Sequence, residues 1–179
     1  MIKGVLGVMA TGSAMSGMHN IMRHTAERVV RTAERTGYSS TNRAARTAAG
    51  LVQRVKNAVR RVVVNIGGVG EEAGAINLNP NLAAPRKGIP NLIQAGAEDL
   101  GELFEQATVD EIVSNRLPPN TINWRQTLPG AARVLRPDAK IIIRFQGVGE
   151  DAKVIMPLLK ELGFRDIQNF AGAAVQAVR

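Results

Sequence analysis

Few residues in this chain are of types that do chemistry, and their placement narrows what that chemistry is. With 2 His and no Cys, thiolate zinc sites, iron–sulfur clusters, disulfide frameworks and cysteine nucleophiles are excluded. His19 and His24 stand five apart, off the spacing that puts two ligands on one helix face, and no Ser-His-Asp set forms around them. No metal site is expected. Adjacent carboxylates occur at Glu71-Glu72, Glu98-Asp99, Asp110-Glu111 and Glu150-Asp151. Neighbours on a strand face opposite sides, and on a loop they are usually solvated, so adjacency alone makes no acid–base couple. Two glycine loops follow apolar runs: Gly67-Gly68-Val69-Gly70 after Arg61–Ile66, and Gly147-Val148-Gly149 after KIIIRF. Glycine lets a backbone turn sharply and come close to a ligand, and open parallel sheets bind ligands at the loops that follow their strands.

The remaining chemistry is positive charge. The chain has 179 residues and a net charge of +8. Residues 1–61 hold 11 Lys+Arg against 2 acids, a net of +9, and residues 62–179 hold 12 against 13, a net of −1. The basic character belongs to the first third, which we read as an Arg-rich helical arm ahead of a nearly neutral domain at 62–179. Arg23, Arg28, Arg31 and Arg35 take one face of an expected helix over 19–35, whose other face carries Ile21, Met22, Ala26, Val29, Val30 and Ala33. Arg43, Arg46, Arg54 and Arg60 lie on a second helix over 43–60, with Ala44, Ala45, Ala48, Leu51, Val52, Val55 and Val59 toward one side. A guanidinium fork matches phosphate oxygens, so these eight arginines are candidate nucleic-acid contacts. A solvated face on helices that dock to the domain or to a protein partner is the plainer alternative.

Residues 4–18 are mildly apolar and resemble a signal peptide only faintly. They fall short of the roughly 18 apolar residues that span a bilayer, and no integral membrane segment is expected. An Arg-rich, acid-poor start also fits a transit peptide by composition. A cytoplasmic location is the expectation, with a delivered effector as the alternative.

The neutral two-thirds alternates short strands and helices. Strands are expected at Arg61–Ile66, Ala75–Asn79, Asn91–Ala95, Val109–Asn115 and Lys140–Phe145. Residues 80–90 form a proline-punctuated loop, 98–106 a short helix or turn, and 121–135 a helix in spite of Pro129. Arg136–Ala139 is a turn, 150–162 a helix, and 164–170 with 173–178 a closing hairpin. Trp124 faces the core. This order predicts an α/β fold with a mostly parallel sheet.

Residues 62–179 resemble the class I, Rossmann-like S-adenosylmethionine-dependent methyltransferases, in particular a small bacterial group with a short glycine loop. The likeness is carried in order by VVVNIGGVGEEAGAINLNP, AGAEDLGELFEQATVDEIVSNRLPP, LPGAARVLRPDAKIIIRF and LLKELGFRDIQNF. It implies a Rossmann-like sheet with a C-terminal antiparallel hairpin, and S-adenosylmethionine as cofactor. It also implies that Gly67, Gly68 and Gly70 pass under the methionine and ribose, with Asn65 just before them. Glu98 or Asp99 would meet the adenine, and Asn115 would stand where cofactor and acceptor meet. At the end of the second strand the family carries an acid for the ribose hydroxyls, and here that position is Asn79. The change removes one charge-assisted contact, about 1–3 kcal/mol, so Asn79→Asp is expected to tighten cofactor binding. The readings compatible with the sequence are a methyltransferase acting on an anionic acceptor, a non-catalytic module of that fold binding nucleic acid or protein through its arm, and a bacterial effector or toxin domain.

Overall fold

The computed structural model describes residues 40–81, 83–118, 120–146 and 151–179. The expected helix over 19–35 with its four arginines, both histidines, residues 4–18 and the Gly147–Gly149 loop lie outside them. Thr41–Arg179 forms one compact unit.

Among the described residues seven strands make a single sheet: β1 (Val63–Ile66), β2 (Ile76–Leu78), β3 (Leu92–Ile93), β4 (Val109–Leu117), β5 (Leu135–Phe145), β6 (Arg165–Phe170) and β7 (Ala174–Val178). Their order is 3-2-1-4-5-7-6. All pairings from β3 through β5 are parallel, and β7 runs antiparallel to both β5 and β6. The fold is therefore α/β, a Rossmann-like, mostly parallel sheet closed by an antiparallel hairpin. β1 and β2 are covered on both faces: every residue of β2 is buried, and so are Val64, Asn65 and Ile66 of β1, the two asparagines Asn65 and Asn77 included. On β7, with one covered face, burial alternates, and edge strand β6 is mostly exposed.

Helix α1 runs through residues 40–57. Ala48, Leu51 and Val52 belong to the same core cluster as Val64, Ile76 and Ile112, with Ala44, Ala45 and Val55 packed against it. Arg43, Arg46, Arg54, Lys56 and Arg60 remain exposed. Its alanines and arginines favour the helix, and burial of its apolar stripe holds it. After it, Val59 takes the left-handed conformation (φ 55) while 94% exposed.

Helices α2 (Leu100–Leu103), α3 (Trp124–Val134) and α4 (Asp151–Glu161) complete the unit. Asn123 caps α3 by accepting from the Gln126 N–H. Pro129 and Pro157 sit inside α3 and α4 on exposed positions, where a proline disturbs the core least.

Two local features differ from the sequence reading. Arg136–Ala139, expected as a turn before the strand, is absorbed into β5 as a bulge: Val109 pairs with Leu135, but Glu111, two residues on, pairs with Lys140, five residues on. Asp138, at φ 65, absorbs the excess, and its carboxylate pairs with Arg165. The proline loop contains one turn of 3-10 helix at Ala84–Lys87, with Pro85 in its first turn, where the missing N–H costs nothing.

The link between parallel neighbours β1 and β2 is short, and neither it nor the longer link from β2 to β3 carries an α-helix among the described residues. Nine residues (67–75) join β1 to β2, and thirteen (79–91) join β2 to β3. Parallel strands usually need a dozen or more residues and a helix to cross over. Here glycines at 67, 70 and 74, all at positive φ, supply the turns instead.

Candidate functional site

Strand order reverses around β1, with β2 on one side and β4 on the other. The crevice outside the carboxyl ends at such a point is where open α/β sheets bind ligands. The loop after β1 lies there.

Its foundation is a buried asparagine pair. Asn65 and Asn77 are in register on adjacent strands and fully buried. Asn65 Nδ2 donates to Asn77 Oδ1 at 3.2 Å, and Asn77 Nδ2 donates to the Pro90 carbonyl at 2.8 Å. Gly68 rests on this pair so closely that a Cβ there would stand 2.2 Å from Asn77 Oδ1 and 2.6 Å from Asn65 Nδ2. Any side chain would force the loop off the strand ends. Gly67 donates its N–H to the Leu78 carbonyl (2.8 Å), turning the loop back over β2.

Asn79, at the end of β2, grips the loop from behind. Its Nδ2 donates to the Gly68 carbonyl at 3.1 Å and, at 3.5 Å, to that of Gly67, and its Oδ1 accepts from the Asn81 N–H at 3.0 Å. Glu71 accepts from the Val69 N–H at 2.7 Å. Both ends of the Asn79 amide are thus engaged by the chain itself.

The other wall is a three-part polar chain. Asn115, on β4, donates from Nδ2 to Glu72 Oε1 (2.8 Å) and accepts at Oδ1 from an Arg144 guanidinium nitrogen on β5 (2.7 Å). Arg144 also stands 3.7 Å from Glu72. Glu72 and Arg144 were not singled out from sequence. Only the register of β4 and β5 brings Arg144 to Asn115, and nothing local marked Glu72 over Glu71.

Glu98 and Asp99 lie past the end of β3 and serve local backbone. Asp99 accepts from the Gly96 N–H (3.1 Å), and Glu98 accepts from the N–H of Asn123, the N-cap of α3 (3.1 Å). The candidates therefore form two groups: Asn65, Gly67, Gly68, Gly70, Asn79 and Asn115 around β1, and Glu98 with Asp99 beside the start of α3. The other described carboxylate pair is spent on the fold. Asp110 accepts from the Val62 N–H and pairs with Arg136, and Glu111 pairs with Arg61.

Four buried polar atoms have no hydrogen-bond partner among the described residues: Asn65 Oδ1, Ser114 Oγ, Trp124 Nε1 and Thr127 Oγ1. The first two lie near the carboxyl ends of the two central strands, and Asn65 Oδ1 belongs to the pair under Gly68. A buried acceptor without a partner costs about 1–3 kcal/mol, which a water or a ligand donor at this point would recover.

Arg43, Arg46, Arg54 and Arg60 all lie on the exposed side of α1 or just beyond it, and no carboxylate among the described residues pairs with them. No helix among the described residues is long and apolar enough to cross a membrane.

No family model matches the chain, and no curated protein matches it. Solved structures do. A SAM-dependent methyltransferase from Archaeoglobus fulgidus is 13% identical with a TM-score of 0.51, over 74% of this chain and 94% of that one. A SAM-dependent methyltransferase from Thermotoga maritima is 17% identical with a TM-score of 0.49, over 87% and 98% of the two chains. At such identities the likeness shows the fold alone: this chain has the fold of SAM-dependent methyltransferases.

Proposed function

We propose that the chain is an S-adenosylmethionine-dependent methyltransferase whose cofactor lies over the Gly67–Gly70 loop, and that the arginine face of α1 draws an anionic acceptor, a nucleic acid, to it. The observation that carries this reading is the glycine loop seated directly on the buried Asn65–Asn77 pair at the point where strand order reverses. The residue types around that point fit the group. The cofactor is a sulfonium cation rich in N–H and O–H donors, and the edge offers part-exposed acceptors in Glu72, Glu98 and Asp99. Asn79 serves the loop in this reading, and the ribose contact falls to backbone and to neighbouring carboxylates.

When bound, the cofactor supplies a methyl group already activated on sulfur, so the chain's task is alignment more than proton transfer. Asn65 and Asn77 set the height of the loop. Asn79 fixes its carbonyls. Glu72 and Arg144 hold the Asn115 amide in one orientation, so that a polar group at the end of β4 meets the acceptor pre-aligned. The arginines between Arg23 and Arg60 supply the attraction for phosphate.

Calorimetry with S-adenosylmethionine and S-adenosylhomocysteine tests the first half. Saturable heat is expected, and none at millimolar ligand would sink it. A second reading, a module of this fold that binds partners without catalysis, is favoured by one observation: the amide of Asn79 is already satisfied by the loop. It predicts salt-sensitive nucleic-acid binding with no cofactor heat.

A further inference from the structure

At the amino edge of the sheet, opposite the glycine loop, lies a cavity of about 340 Å³. Its walls include Gln106 and Ala107 ahead of β4, Ala132 and Arg133 in the last turn of α3, Leu135 at the start of β5, and Arg179 after β7. The volume falls in the range of small-molecule sites, roughly 300–1,000 Å³. No acidic residue lines it.

Its two arginines are held in place by backbone. Arg133 donates to the Gly101 carbonyl and to that of Phe104 (3.1 Å), at the end of α2. Arg179 donates from Nε to the Ala132 carbonyl (2.8 Å) and from a terminal nitrogen to that of Leu162 (3.2 Å), and its guanidinium lies over the Phe164 ring, 5.6 Å from the centroid. No carboxylate among the described residues pairs with either. A guanidinium carries five donors, so each retains several beyond these bonds. Because both side chains are already fixed, a ligand that uses the remaining donors does not have to order them. Arg179 also covers a carbonyl near the negative end of α3, an end that would otherwise repel an anion.

We propose that this cavity binds a small organic anion, with a carboxylate or phosphate head on Arg133 and Arg179 and an apolar body against Ala107, Ala132 and Leu135. It stands apart from the proposed cofactor site and does not rest on the methyltransferase reading.

The test is calorimetry and amide NMR on the full chain with benzoate and phenyl phosphate, using benzyl alcohol as the neutral control. Saturable binding of at least one anion is expected, with shifts at Gln106, Ala107 and Leu135, and none with the alcohol. The stronger of the two identifies the head group. Arg179→Gln should weaken binding at least tenfold. Because it also removes backbone bonds, Gln106→Glu is the second variant: it leaves those bonds in place and sets a negative charge in the wall, and should weaken binding at least as much at an unchanged melting temperature. Failure of both anions to saturate, or unchanged affinity in Gln106→Glu, would overturn the proposal.

Discussion

Asn79 decides between two chemistries at one atom. If it faces a ribose, replacing its amide by a carboxylate adds a charge-assisted acceptor and tightens cofactor binding. The observed bonds argue the reverse, because Nδ2 is the donor that reaches Gly67 and Gly68. Asn79→Asp would set an anion against two carbonyl oxygens and loosen the loop. We expect weaker S-adenosylmethionine binding and a loss of about 1–3 kcal/mol of stability, read by calorimetry and urea unfolding. Tighter binding would return Asn79 to the ribose. Gly68 gives a second prediction. A Cβ would overlap Asn77 and Asn65, so Gly68→Ala should cost about 1–3 kcal/mol by overpacking, measured as a lower urea midpoint. The glycine loop was legible from its place after an apolar run, whereas Asn65, Asn79 and Asn115 became candidates only through the family resemblance. Their partners were not legible, because an amide such as Asn79 bonds whichever backbone the fold folds back onto it.

For the elements, β1, β2 and β3 were legible as short, mostly apolar runs bounded by Gly and Pro, and β4 by Val109, Ile112 and Val113 within a more polar run. The start of β5 was not. Arg-Pro-Asp reads as a turn, and local sequence cannot tell a turn before a strand from a bulge inside one when the bulge is set by pairing to β4. Charge and packing also draw different lines in α1. Charge patterning sets off everything before residue 62, whereas Ala48, Leu51 and Val52 join the core of the sheet. Two predictions belong here. Leu51→Ala should cost about 2–5 kcal/mol in the same single unfolding transition as the sheet. Val59, β-branched and left-handed, pays about 1–2 kcal/mol for its conformation, so Val59→Gly should raise stability by up to about 1 kcal/mol, seen as a higher melting temperature.

At the scale of the whole molecule, the two ends of the sheet and the face of α1 present different chemistry. The carboxyl edge is rich in acceptors, and the exposed arginines of α1 face solvent while its apolar stripe is buried. Reversing Arg43, Arg46 and Arg54 to Glu should lower the slope of log affinity against log salt for duplex DNA by about 3, since each phosphate contact contributes about 0.9. An unchanged slope would remove α1 from the interface.

The strand order has one more consequence, for how this chain is made. Strand β7 is the last in sequence yet sits between β5 and β6. During synthesis β5 therefore offers a bare edge, and β6 has no neighbour in the sheet, until Ala174–Val178 has left the ribosome. Bare strand edges invite pairing with other chains. The nascent protein thus passes through a stage in which most of its core residues are already outside the ribosome but its sheet is unfinished.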